Sequence, residues 1–189
     1  MNFIRIAASV AVLATAAGCA APDFSPSKLV GPQFADPARG IVLMSTGAKE
    51  RCVAGAMWAP IYDARTRKLV SGLEPLPIDA NKDSGFADHY GTLNALSLPP
   101  GQYVITAEWA NPVAMPTGGM PAWSFEVVAG QSTYIGEIWR STGCDMSVSL
   151  SMRDNFDRDV ALAEKLNTGF ITHPPKKALA QSLRSKSGG

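Results

Sequence analysis

The chain has 189 residues, of which 46% are hydrophobic and 17% charged, enough for one domain with a real core. Its 17 basic and 16 acidic side chains nearly cancel, so the basic excess of a nucleic-acid binder is missing. The charge is unevenly placed: after Phe170 come Lys176, Lys177, Arg184 and Lys186 with no acid among them.

The chain opens with a short segment carrying one charge, Arg5, followed by an apolar run from Ile6 to Ala17 that holds neither charge nor proline. As a helix that run spans about 18 Å. The hydrocarbon core of a bilayer is ~30 Å thick, so the run reads as a signal peptide and not as a span. Its end, Leu13-Ala14-Thr15-Ala16-Ala17-Gly18-Cys19, resembles the lipobox of bacterial lipoprotein precursors. The resemblance implies that residues 1–18 are removed and that Cys19 becomes the acylated first residue. Ala16 departs from it, because the pattern usually has Leu at that position. Cleavage after Ala14-Thr15-Ala16 is the competing outcome and would give a soluble periplasmic protein. Ala20 follows the cysteine in place of aspartate, which resembles a signal for onward transport to the outer membrane.

Residues 19–39 read as a tether, with Pro22, Pro26, Pro32 and Pro37 stiffening the backbone. An arm packed across the domain and anchored by Val30 and Phe34 is the alternative. The remaining two cysteines, Cys52 and Cys144, suit a disulfide in an oxidising compartment, against the reading of two separate buried thiols. No C-x-x-C redox spacing is present.

The body, residues 40–170, reads as β-structure. Ile41–Met44 and Ala56–Tyr62 are the first candidate strands, with Pro60 marking an edge or bulge. Residues 71–90 form a long loop with one short extended piece, and Thr92–Leu98 is the next strand. Pro99-Pro100-Gly101 is a turn signal. After it, Tyr103, Ile105, Ala107 and Trp109 alternate with Val104, Thr106 and Glu108, which places the first set on one face of a sheet. Residues 111–121 are a Pro/Gly loop. Trp123–Val127 and Ser132–Trp139 follow as strands, and Met146, Val148, Leu150 and Met152 share a face of the last. Strands so spaced favour an antiparallel sandwich or barrel. A helix then starts at Asp154 as N-cap, bears Phe156, Val160, Ala163 and Leu166 as an apolar stripe, and ends near Gly169. Residues 171–189 are expected to be a disordered basic tail.

The stretches Leu98-Pro99-Pro100-Gly101-Gln102-Tyr103, Phe125-Glu126-Val127-Val128-Ala129-Gly130-Gln131 and Tyr134-Ile135-Gly136-Glu137-Ile138 resemble a pattern in small bacterial lipoproteins. Those carry a carboxypeptidase-regulatory-like, or transthyretin-like, β-sandwich. The resemblance covers about residues 90–168. It implies a mainly β fold, an antiparallel sandwich with one C-terminal helix packed on it, and it brings no catalytic residue.

The search for chemistry yields little. His89 sits in an Asp/Gly loop with Asp83 and Asp88, but without ligands at metal spacing the loop reads as a solvated turn. His173 lies in the expected tail. No G-x-S-x-G, S-x-x-K or H-E-x-x-H motif occurs. Glu108, Glu126 and Glu137 fall on different strands, and each alternates with apolar neighbours as a solvent-facing residue would. Trp109, Met115, Met120 and Trp123 flank the 111–121 loop as a candidate partner surface, unless the two tryptophans are core. No catalytic residue, metal site or cofactor is expected.

The expected protein is therefore a non-enzymatic lipoprotein on the periplasmic face of the outer membrane, held by Cys19. Its sandwich would bind or scaffold an envelope protein or cell-wall polymer. A structural subunit of a secretion-type assembly and a small periplasmic hydrolase are the alternatives.

Overall fold

A computed structural model describes residues 36–52, 56–70, 76–79, 86–110, 120–144, 149–166 and 174–183. The leader, Cys19, most of the tether, Met115, Met146, Val148, Gly169 and His173 lie outside the described residues.

Three layers make the fold. The first sheet runs β10 (Leu150–Arg153), β9 (Ser132–Arg140), β1 (Gly40–Ala48), β5 (Leu93–Leu98). The second runs β12 (Gln181–Leu183), β8 (Ala122–Val127), β6 (Gly101–Thr106), β3 (Ile61–Asp63). Between the two sheets lies the main core, including Val42, Met44, Leu98, Tyr103, Ile105, Trp123, Phe125, Ile135 and Ile138. On the outer face of the first sheet lies α1 (Phe156–Lys165), packed through a second cluster with Leu43, Phe86, Leu93, Tyr134, Leu162 and Ala163. The architecture is thus mainly β, a sandwich with one helix on it.

The expected alternation is visible in β6 and β8. Tyr103, Ile105, Trp123, Phe125 and Val127 point inward, and Gln102 and Glu126 point outward. Pro60 splits the predicted 56–62 strand in two. β2 (Met57–Ala59) pairs with β4 (Leu76–Pro77) and β7 (Glu108–Trp109) in a small third sheet, while β3 pairs with β6. Proline lacks the N–H a ladder needs, so the chain changes partners there. Ala107 marks the same switch between β6 and β7.

β9 departs from an all-antiparallel sandwich. It pairs with β1 in parallel, and the register slips between Leu43 and Met44, whose partners are Tyr134 and Gly136. The extra residue, Ile135, makes a β-bulge. Gly136 takes φ +113°, and a Cβ there would meet Met152 Sδ at 2.6 Å, so the position needs glycine. The bulge changes the phase of the strand. Ile135 and Ile138, three apart, both enter the main core, and Tyr134 and Glu137 both face the helix.

The expectation of disorder beyond Phe170 fails for residues 174–183. β11 (Lys176–Lys177) pairs in parallel with Thr133–Tyr134, and β12 pairs antiparallel with Ala122–Ser124. Between them the Ala178 and Ala180 N–H groups donate to Tyr134 and Ile135 carbonyls at 2.9 and 2.8 Å. This strap closes the seam between the two sheets. Composition hid it because backbone groups do the pairing and only Pro175 and Ala180 are buried.

The helix start also differs from expectation. Asn155 is the N-cap, and Asp154, one residue earlier, accepts the Phe156 N–H at 3.1 Å. Its other oxygen takes the Lys177 ammonium of the strap at 2.8 Å. Lys177 and the Phe156 N–H hold the Asp154 carboxyl below its ordinary 3.8, and Asp154 holds Lys177 above 10.5. The lowered acid stabilises docking above about pH 4, an effect lost as pH falls through its folded value. The raised lysine stabilises it below 10.5, and that is lost as pH climbs past its folded value. Asp154→Asn at neutral pH should therefore speed amide exchange at Ala178 and Ala180. Unchanged exchange would mean that the backbone ladder alone holds the strap.

Cys52 and Cys144 form a disulfide across 92 positions, with Cα atoms 5.2 Å apart. Among the described residues no helix is long and apolar enough to cross a membrane.

Candidate functional site

The densest set of polar side chains lies between β9 and α1. Ser45 and Glu137 are register partners on β1 and β9, and Arg153 on β10 is the partner of Glu137 on its other side. The face they share is the one α1 covers. Glu137, expected to face solvent, is fully buried. The bulge and the helix together explain this: alternation tells one face from the other but does not say whether the second face is covered.

Arg158 donates to Glu137 Oε1 at 2.8 Å, and Asn155 Nδ2 donates to Oε2 at 2.6 Å. The Arg153 Nη1 atom stands 3.9 Å from Oε2. Arg158 also bonds Asp159 Oδ1 at 2.8 Å and Ser45 Oγ at 3.2 Å, and lies over the Phe86 ring. Asp159, buried, accepts from Ser45 Oγ at 2.5 Å and from Tyr134 Oη at 2.9 Å. Burial pushes the Asp159 carboxyl up, opposed by hydrogen bonds from Ser45, Arg158 and Tyr134. Tyr134 is pushed up by its own burial and then by the Asp159 charge. Desolvation would lower Arg158, but the Asp159 and Glu137 carboxylates outweigh it and hold the guanidinium above its usual value.

His89 closes one side. The sequence places it in a solvated turn; instead it is only 4% exposed, stacked on Phe86 with ring centroids 4.5 Å apart. Its Nδ1 lies 2.8 Å from Asp88 Oδ1, and its Nε2 stands 3.7 Å from Glu137 Oε1 with no hydrogen-bond partner among the described residues. Phe86, three residues before it, and Trp139, on β9, supply the aromatic walls, and the second leaves no trace in the local composition.

A second buried pair joins Asp79 and Arg140 beside the disulfide. Asp79 Oδ1 also accepts the Met57 N–H at 3.1 Å, and Arg140 Nη2 donates to the Gly143 carbonyl at 2.9 Å. Burial pushes the Asp79 carboxyl up, against the Met57 N–H and the Arg140 charge. Among the described residues no cluster of three or more His, Cys, Asp or Glu side chains could hold a metal ion.

Of the two readings of the residues flanking the 111–121 loop, a partner surface or core tryptophans, the structure has the second. Trp109 and Trp123 are core residues, 6% and 3% exposed, and Met120 packs against the same core. The sheet pleat turns them inward, as their alternation with Glu108 and Ser124 requires. Trp58, on the neighbouring strand β2, is partly buried. With Pro60, Glu108, Trp109 and Ala110 it lines a cleft of about 330 Å³. Trp58 alternates with buried Met57 and Ala59, a signal present in the sequence but cut short by Pro60.

No protein-family model matches the chain, and no curated protein matches it.

Proposed function

We propose that this chain is an exported lipoprotein, anchored through Cys19 in the outer membrane, whose sandwich is a non-enzymatic binding or scaffolding module on the periplasmic side. The observation that carries the reading is the Cys52–Cys144 disulfide, a bond that persists in oxidising compartments and agrees with an export signal at the N-terminus. The polar cluster under α1 supports the same reading. Glu137, Asp159, Arg158, Ser45 and Tyr134 direct their donors and acceptors at one another, which suits fixing a helix to a sheet.

The test is fractionation with acyl labelling. The natural chain should take up labelled palmitate and pellet with outer membranes, and Cys19→Ser should lose the label and appear in the soluble periplasmic fraction. A Cys19→Ser protein that stays in the membrane overturns the lipid anchor, and a cytosolic natural chain overturns export.

A further inference from the structure

We infer that the turn 63–69 docks the sandwich on anionic phospholipid headgroups of the bilayer that holds Cys19, through the exposed side chains of Arg65, Arg67 and Lys68. The inference rests on the anchored-module reading above and adds a second point of membrane contact to it.

Strand register puts this turn at the end of the sandwich where β1 begins. Asp63, the last residue of β3, pairs with Tyr103 near the start of β6, and the Ala64 N–H donates to the Gln102 carbonyl at 2.9 Å. Gly101, where β6 begins, pairs with Val127, where β8 ends. Gly40, where β1 begins, pairs with Leu98 and lies against Val127 and Val128. Just before β1, the Arg39 N–H donates to the Asp36 carbonyl, and the Arg39 carbonyl accepts the Gly130 N–H at 2.9 Å. Asp36 is thus at the same end as the turn, and seventeen positions separate it from Cys19. That length of chain reaches at most about 60 Å. An anchor at Cys19 therefore draws this end of the sandwich toward the bilayer.

The turn holds its bases outward. The Asp63 N–H donates to the Lys68 carbonyl at 3.0 Å and the Val70 N–H to the Ile61 carbonyl at 2.9 Å, which closes a hairpin on the open side of β3. Asp63 Oδ1 accepts the Thr66 N–H at 2.6 Å and the Thr66 hydroxyl at 2.9 Å, so the one acid of the turn is engaged within it. Arg67 has φ +56°, a left-handed backbone that is costly for a residue with a Cβ and that glycine fills freely. Among the described residues no other non-glycine residue has a positive φ. A base kept where glycine fits best is a cost that no contact within the fold offsets, and such strain gathers at functional positions. Leu69, beside the bases, is 47% exposed and gives the tip an apolar side chain for the headgroup layer. Elsewhere at this end Arg39 and Lys176 stand against Asp36 and Glu126, so the surplus of the turn sets the sign. A convex basic tip with one apolar side chain suits a yielding anionic surface.

The experiment is co-sedimentation of the full mature chain carrying Cys19→Ser with vesicles of phosphatidylcholine, alone or with about 30% phosphatidylglycerol. Binding to the mixed vesicles only is expected, and it should vanish near about 0.5 M salt. Arg65→Ser, Arg67→Gly and Lys68→Ser should each weaken it about fivefold, and the triple variant at least about fiftyfold. Arg67→Gly should do so without lowering the melting temperature, because glycine relieves the left-handed backbone. Lys49→Gln, beyond the opposite end of β1, should leave binding unchanged. No binding to the mixed vesicles overturns the docking turn. So does equal binding of the triple variant, equal binding to phosphatidylcholine alone, or tighter binding of soluble polyphosphate than of the mixed vesicles. The contact is weak by itself and gains from the high local concentration that an anchor imposes, so Cys19→Ser still leaves the membrane on fractionation. The vesicle assay uses a chain without acyl groups, so its failure leaves the lipid anchor standing, to be tested by fractionation alone.

Discussion

Removal of the Cys52–Cys144 bond is expected to cost about 4 kcal/mol, because the cross-link closes a long loop in the unfolded chain. For a domain of this size that corresponds to a fall in melting temperature of roughly 8–16 °C. The Cys52→Ser/Cys144→Ser double variant and the reduced natural chain should melt together, well below the oxidised chain. The bond also borders the buried Asp79–Arg140 pair. The Cys52 N–H donates to the Asp79 carbonyl, and Arg140 donates to Gly143, the residue before Cys144. Loosening the cross-link lets water reach that pair, so the loss should not add simply to that of Asp79→Asn. Equal melting of the oxidised and double-variant proteins would remove the disulfide from the list of stabilising contacts.

The second large effect belongs to Glu137. Removing one partner of a buried ion pair typically costs 3–5 kcal/mol, because the other charge is left uncompensated. Here the lower end, about 3 kcal/mol, is expected for Glu137→Ala, since Arg158 is 35% exposed and water can solvate part of it. Glu126→Ala is the internal control. It removes the same side chain from an exposed strand position and should change stability by less than about 0.5 kcal/mol. Chemical denaturation of the two variants separates the cases. Equal, small losses would return Glu137 to the solvent-facing role that its sequence context suggests.

That contrast shows where the sequence was readable. Tyr103, Ile105, Trp123 and Phe125 could be assigned to the core because β6 and β8 keep a strict period of two with one open face. The same rule misplaces Glu137 because β9 lies between the main core and α1 and carries a bulge at Ile135. His89 was read from its Asp/Gly neighbours, whereas its burial comes from Phe86 and Trp139, the latter fifty positions away. The parallel pairing of β1 with β9 leaves no local trace either. Of the candidate site, the disulfide was legible as a cysteine count. Trp58 and Glu108 met only when β2 and β7 paired, and neither strand is longer than three residues.

The strap has a bearing on the order of events during synthesis. β8 and β9 emerge well before residues 176–183, yet each keeps backbone groups unmet at its edge until those residues arrive. β1 likewise waits for β9, more than 80 positions later in the chain, before its parallel ladder can form. Long-range pairings of this kind come late and slowly in folding. A chain synthesised from its N-terminus therefore lacks these edge pairings until its last residues are made. Two adjoining strand edges stay exposed together until one event, the docking of residues 176–183, covers both.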